Sequence, residues 1–155
     1  MRAIVQRVSR AAVRVDGEMV GRIGPGVCVL LGAGPQDDEA TAERLAERIA
    51  TLRIHADDAG KMNRDLAASG GEVLVVSQFT LYADTSRGHR PSFIGAGPPE
   101  LGRRLCDAFC EALRRRGLRV AEGVFGAHMQ VALENDGPVT VVLTSGEGPW
   151  PADAG

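Results

Sequence analysis

Apolar residues along this chain come in short runs closed by glycine-rich turns, and only two stretches recur at helical spacing. Residues 3–9 (AIVQRVS) predict an opening strand interrupted by Arg7, and residues 12–15 continue it. Asp16-Gly17 supplies a turn before residues 18–23, which predicts a hairpin. Gly24-Pro25-Gly26 turns the chain again, and residues 27–31 form an apolar strand closed by Gly32, Ala33 and Gly34. The first helix follows, capped by Asp37 or Asp38. Ala42, Leu45, Ala46, Ile49 and Leu52 lie on one face, with Arg44, Glu47 and Arg48 on the other. A stripe built partly from alanine sets this helix close against a sheet. Arg53-Ile54-His55 leaves it, Asp57-Asp58-Ala59-Gly60 is a turn, and Lys61-Met62-Asn63 precedes Leu66. His55 alone reads as a structural or surface histidine.

Residues 72–82 (EVLVVSQFTLY) are the centre of the pattern. A continuous run rich in β-branched residues predicts a strand covered on both faces. Ser77, Gln78 and Thr80 bring hydrogen-bonding side chains to it, and such groups are either paired inside the fold or presented to a ligand. Residues 83–99 are a long connection carrying Arg87, His89 and Arg90 near Ser92 and Phe93, equipment suited to phosphate and base contact, although such clusters also occur on plain surfaces. Pro98 and Pro99 open the second helix, whose buried stripe is Leu101, Leu105, Ala108, Phe109, Ala112 and Leu113. Its end, Arg114-Arg115-Arg116-Gly117, is first explained by dipole complementarity and capping. Residues 118–121 predict a strand, 123–127 a glycine-bracketed connection, and 128–134 an alternating strand. Asn135-Asp136-Gly137-Pro138 breaks it, and residues 139–144 are the last strand.

Two helices among seven or more strands, without regular alternation, predict an α+β fold: a strongly curved, barrel-like, mostly antiparallel sheet with two main helices packed on it. Residues 1–144 read as a single domain and 145–155, with the lone Trp150, as a loose tail. Twenty glycines in 155 residues favour turns and close backbone approaches over a helical bundle. Cys28, Cys106 and Cys110 do not form a disulfide scaffold, and the pair four apart on a helix reads as packing rather than metal ligation. With no targeting or membrane segment in the pattern, a cytoplasmic, soluble protein with no membrane partner is expected. A net charge of −2 argues against indiscriminate nucleic-acid binding. Residues 1–24 nevertheless concentrate Arg2, Arg7, Arg10, Arg14 and Arg22 against Asp16 and Glu18, so local basicity is available.

Elimination narrows the chemistry. Ser77 and Thr80 could be nucleophiles, but no Gly-x-Ser-x-Gly elbow surrounds Ser77, and neither a base nor its orienting group is evident among His55, His89 and His128. Metal-ligand spacing is lacking, and Asp57 and Asp58 read as a solvated turn. No metal and no cofactor is expected. What remains is a site made mostly of backbone. Gly137-Pro138 can be cis, which would aim consecutive carbonyls in a fixed direction, while on physics alone residues 135–138 read as a simple hairpin turn.

Seven motifs in order then carry a resemblance: MRAIVQRV (1–8), GKMN (60–63), SQFTL (77–81), YADT (82–85), RPSF (90–93), FGAHMQV (125–131) and NDGPVT (135–140). Over residues 1–144 the chain resembles the bacterial-type D-aminoacyl-tRNA deacylases. The resemblance implies a homodimer that hydrolyses the ester between a D-amino acid, or mischarged glycine, and the 3′ end of tRNA. It implies a pocket lined by Ser77, Gln78, Phe79 and Thr80, acting through backbone amides rather than a side-chain nucleophile. Gly137 and Pro138 of the partner subunit would exclude an L side chain through a cis bond. Arg7 would anchor that dipeptide, and Phe125 and Met129 would pack near the adenosine-binding part. Arg87, His89 and Arg90 are the candidate tRNA contacts.

Some positions depart from the family pattern. His55 stands where phenylalanine is common, His89 where asparagine is often found, and Arg64 and Asp65 make the stretch after GKMN more charged. Two other readings share the fold: a deacylase of another small ester or amide, and an RNA-binding protein without hydrolysis. Turnover, and dependence on the terminal 2′-hydroxyl, separate the three.

Overall fold

The computed structural model describes residues 1–145. Its spine is β1 (Arg2–Val15), a strand of 14 residues. β2 (Glu18–Ile23) and β3 (Gly26–Gly32) pair antiparallel with successive parts of β1, and β8 (Gln130–Thr144) pairs antiparallel along nearly its whole length. β6 (Glu72–Ser77) then adds parallel to β3, and β7 (Val120–Glu122) parallel to β6. The order β2-β1-β3-β6-β7 curls until β2 meets β7. A Cβ on Gly21 would lie 2.6 Å from the Glu122 carbonyl oxygen, so only glycine permits this approach. The result is the expected α+β architecture with a nearly closed, barrel-like sheet.

Two helices cover the outer face. α1 (Glu39–Ala50) is capped by Asp38, whose carboxylate accepts from the Thr41 amide, and it buries Ala42, Leu45, Ala46 and Ile49. α3 (Pro99–Arg115) buries Leu105, Phe109, Cys110, Ala112 and Leu113. These stripes close over Val27, Val29, Leu31, Val73 and Val75 as the main core. Cys28, Leu74 and Val76 point the other way, into the barrel interior with Val8, Ala11, Val13 and Ile23. Both faces of β6 are therefore covered, which is why its sequence is a continuous apolar run. A small sheet of β4 (His55–Ala56) and β5 (Met62–Arg64) and the one-turn α2 (Leu66–Ser69) complete the chain between α1 and β6.

β1 changes faces on the way. Ala3 and Val5 belong to the helix-side core, whereas Ala11 and Val13, at the same parity, belong to the interior. A strand of strict period two cannot do this without a bulge, and the β1–β8 register shifts between Gln6/Val8 and between Val8/Arg10.

Two expectations are corrected. The strand predicted over 72–82 ends at Ser77, and Phe79–Tyr82 form a 3-10 turn closed by Leu81 N–H to the Gln78 carbonyl (3.3 Å) and Ala83 N–H to the Thr80 carbonyl (3.0 Å). β6 loses its ladder there: the Gln78 amide makes the last bond to β3, donating to the Leu31 carbonyl at 2.7 Å. Residues 135–138 are not a hairpin turn between two strands. They are an excursion within one strand, β8, because β1 offers a continuous partner on both sides of them. Ser145, the first residue of the expected tail, donates its amide to the Met1 carbonyl at 2.8 Å; residues 146–155, with Trp150, lie outside those described.

Phe109 is fully buried at the contact of α3 with the sheet. Phe109→Ala is expected to lower the unfolding free energy by about 3–5 kcal/mol, read as a reduced urea midpoint at unchanged denaturant slope.

Candidate active site

The 3-10 turn, the long connection and the start of α3 enclose a cavity of about 710 Å³ next to the end of β3. Gly32 and Ala33 form its floor, Phe79, Phe93 and Ile94 one wall, and Pro98, Gly102 and Phe125 the other. The Phe79 and Phe93 rings meet edge to face at 5.0 Å. Phe79 is 58% and Ile94 93% exposed, so a large apolar surface is left open to a ligand. The connection is stapled to the floor by the Gly97 amide, which donates to the Ala33 carbonyl at 2.8 Å.

The predicted pocket residues divide. Phe79 lines the cavity; Ser77 and Gln78, half-buried, and Thr80, exposed, are not among its lining residues. The Gln78 side-chain amide donates to the Thr80 hydroxyl. No imidazole is hydrogen-bonded to that hydroxyl among the described residues, so no side-chain base activates it there. The first turn of such a helix leaves its leading N–H groups without partners inside it, and here these belong to Phe79 and Thr80.

Phe125 lines the same cavity from a loop. The Arg103 guanidinium stacks 4.8 Å from its ring centroid and donates to its carbonyl at 3.4 Å, and a Cβ on Gly102 would come within 3.3 Å of the ring. α3 thus presents its Gly102-Arg103 step as a seat for the ring. The sequence reading missed Arg103. Its signal was Gly102, a glycine inside a helical pattern, which marks a close approach. Met129 does not line the cavity; it packs on the interior core cluster beside Gly123.

Arg87, His89 and Arg90 sit on the exposed tip of the long connection, which is closed below by reciprocal Asp84–Ser92 backbone bonds of 2.8 Å each. The Arg114–Arg116 run is engaged within the protein: Arg114 with Glu111 and Glu122, Arg115 with Glu43, Arg116 with Glu47. Cys110 and Cys28 are buried, and burial pushes the Cys28 thiol up to about 11, which keeps it protonated and unreactive near neutral pH.

Gly137-Pro138 lies elsewhere. Four residues, 136–139, stand opposite the single residue Arg7, since Gln6 pairs with Thr140 and Val8 with Asn135. The excursion is held from both sides. Arg7 Nε donates to the Asp136 carbonyl at 3.1 Å and lies 3.3 Å from its carboxylate, while Nη1 donates to the Ile54 carbonyl at 2.6 Å. Asn135 accepts from the Val139 amide at 3.1 Å and donates to the Thr140 hydroxyl at 3.0 Å. The Gly137-Pro138 bond is cis. Gly137 has φ +130°, and a Cβ there would fall 3.0 Å from Arg7 Nη2. Asp136, Gly137 and Pro138 are all exposed. Arg2 pairs with Gly32 at the cavity floor, and Arg7 stands five residues farther along β1, about 17 Å at the usual rise.

These features describe an open apolar cavity beside the leading N–H groups of a 3-10 turn. The family model described as D-Tyr-tRNA(Tyr) deacylase matches residues 4–144. A D-aminoacyl-tRNA deacylase of Deinococcus radiodurans is 62% identical over 143 residues, covering 92% of this chain and 99% of that protein. One from Roseiflexus castenholzii is 60% identical over 145 residues, covering 94% and 92%. Among solved structures, a c-Myc DNA unwinding element binding protein superposes with TM-score 0.87 at 41% identity, over 97% of this chain and all of that one. A probable eukaryotic D-amino acid tRNA deacylase shares the fold at TM-score 0.81 and 18% identity, over 92% and 97%. The chain belongs to the D-Tyr-tRNA(Tyr) deacylase family. It is an enzyme of that family, a hydrolase of D-aminoacyl-tRNA.

The anchoring of the excursion has a direct test. Arg7→Ala is expected to speed hydrogen exchange of the Val139 amide at least about tenfold, the effect of losing ~1.4 kcal/mol of local stability. The amides of Val141 and Leu143, held by the β1 ladder, should stay protected.

Proposed function

We propose that the cavity beside Phe79 is the ester-hydrolysing site, and that Gly137-Pro138 from a second copy of the chain closes it against L-aminoacyl groups. The observation that carries this reading is the separation of two exposed features on one chain. An open cavity lies at one end of the β1–β3 pairing, and a clamped, outward-facing Gly-Pro excursion lies at the other. A twofold pair could bring each excursion to the other copy's cavity and form two equivalent sites. D and L esters carry the same groups, so attraction alone separates them poorly, and rejection needs a clash. A backbone wall fixed by Arg7 and Asn135 suits that role better than a mobile side chain. Glycine, with no side chain to clash, would pass, so glycine mischarged on the tRNA for alanine would be removed as well.

Water attacks the ester carbonyl in this mechanism, and the amides of Phe79 and Thr80 meet the developing oxyanion. The 2′-hydroxyl of the terminal adenosine assists, in place of a protein base. Phe125, seated on Arg103, faces the adenosine, and Met129 supports the connection that carries it. Arg87, His89 and Arg90, exposed at the tip of the long connection, would contact the acceptor strand. Homodimer formation, and a cytoplasmic setting with the aminoacyl-tRNA pool, go with this reading.

One tRNA charged in parallel with D-Tyr and L-Tyr, and glycine on its own tRNA, tests it at nanomolar enzyme without added metal. Rapid loss of the D and glycine esters with L intact is expected. Persistence of all three while tRNA still binds would leave a binding protein instead. Thr80→Ala should keep substantial hydrolysis; complete loss in that variant, together with an acyl-enzyme trapped on the wild-type protein, would overturn the water mechanism.

A further inference from the structure

We infer that His55 is a positioning residue for L-aminoacyl exclusion, holding the Arg7 clamp on the Gly137-Pro138 excursion only while its imidazole is uncharged. This rests on the proposed role of that excursion as the excluding wall. His55 is 91% buried, by its 9% relative exposure, and its Nε2 is enclosed without a hydrogen-bond partner. The preceding residue, Ile54, supplies the carbonyl that receives Arg7 Nη1 at 2.6 Å. Arg7 thus bonds the backbone immediately before His55, near enough for its charge to act on the imidazole, and the Arg7 side chain is itself only 15% exposed.

Every charged group facing His55 can be named. Arg7 comes from β1, Asp136 from the excursion in β8, and Asp65 from the cap of α2; Arg64 is its register partner across β4–β5. Asp65 is already engaged by the Ala68 amide at 2.8 Å, and Arg64 by Asp58 at 2.7 Å. Asp136 is the carboxylate that Arg7 itself uses. A second cation at His55 would stand against Arg7 with Asp136 already paired to it, and sharing that carboxylate or pushing the guanidinium away loosens the excursion. Burial first, and then the Arg7 charge, hold the imidazole below its ordinary value of 6.5. A histidine so lowered leaves stability intact above that value. Stability then falls as the pH drops from there toward the lowered folded value, where the unfolded chain takes up the proton more readily.

Phenylalanine at this position would fill a similar volume with nothing to titrate. The test compares wild type with His55→Phe. D-Tyr-tRNA and L-Tyr-tRNA hydrolysis are measured from pH 8 down through the titration of the His55 ring protons, and the Gly137 and Val139 amide resonances are followed over the same range. In wild type the D-over-L preference should fall by about tenfold or more toward the acid end, with the two amides shifting in step with the His55 ring protons. His55→Phe should keep its preference and show flat amide shifts. Equal pH profiles in the two proteins, or amides that ignore the His55 titration, would overturn the inference. Failure to spare L-Tyr-tRNA at pH 8 in wild type would instead strike the wall reading itself, so the two failures are distinguishable.

Discussion

The pairing of β1 with β8 is the interaction on which the rest depends. β1 hydrogen-bonds three other strands, and β8 alone accompanies it from Arg2 to Arg14. That continuity lets β8 give up its ladder for four residues and then resume it, since the bonds on each side hold the strand in place. An isolated turn with the same residues would have no such frame. The excursion at 136–139 is thus a local loss financed by a long ladder, and Arg7, the polar residue that breaks the apolar rhythm of β1, is the side chain that occupies the gap.

The same bulged region explains how a single strand serves two cores. Before it, β1 turns Ala3 and Val5 toward the helices; after it, Ala11 and Val13 face the barrel interior. The change of face draws the sheet round until β2 meets β7 at Gly21. Curvature, the closing of the barrel and the displaying of Gly137-Pro138 thus share one physical origin, an irregular register along one strand.

Much of this was legible in the chain. The helix stripes, the Asp16-Gly17 hairpin and the doubly covered β6 follow from periodicity and turn chemistry, because local pattern and burial agree there. The two main misreadings share a cause. Residues 79–82 look strand-like by composition, and residues 135–138 look like a hairpin by turn chemistry, but the outcome was decided by whether a partner strand was present. Composition does not report partners distant in sequence. The cavity was hidden for the same reason: its walls come from β3, the 3-10 turn, α3 and the Phe125 loop, and only Phe79 and Phe125 had been picked out as site residues by resemblance. Arg103 was invisible because an arginine on a helix face has no distinguishing spacing, whereas the neighbouring Gly102 did.

The two backbone staples of the long connection, Gly97 to Ala33 and Asp84 to Ser92, divide it into a part that shapes the cavity and a part that does not. Everything between Asp84 and Ser92 hangs outside the second staple, so changes of length or charge there close a loop whose ends are already fixed. The exposed residues of that tip, Arg87 and His89 among them, can therefore rearrange while the apolar walls at Phe79 and Phe93 keep their shape. The shape of the cavity and the charge carried at the tip are, in this architecture, separately adjustable.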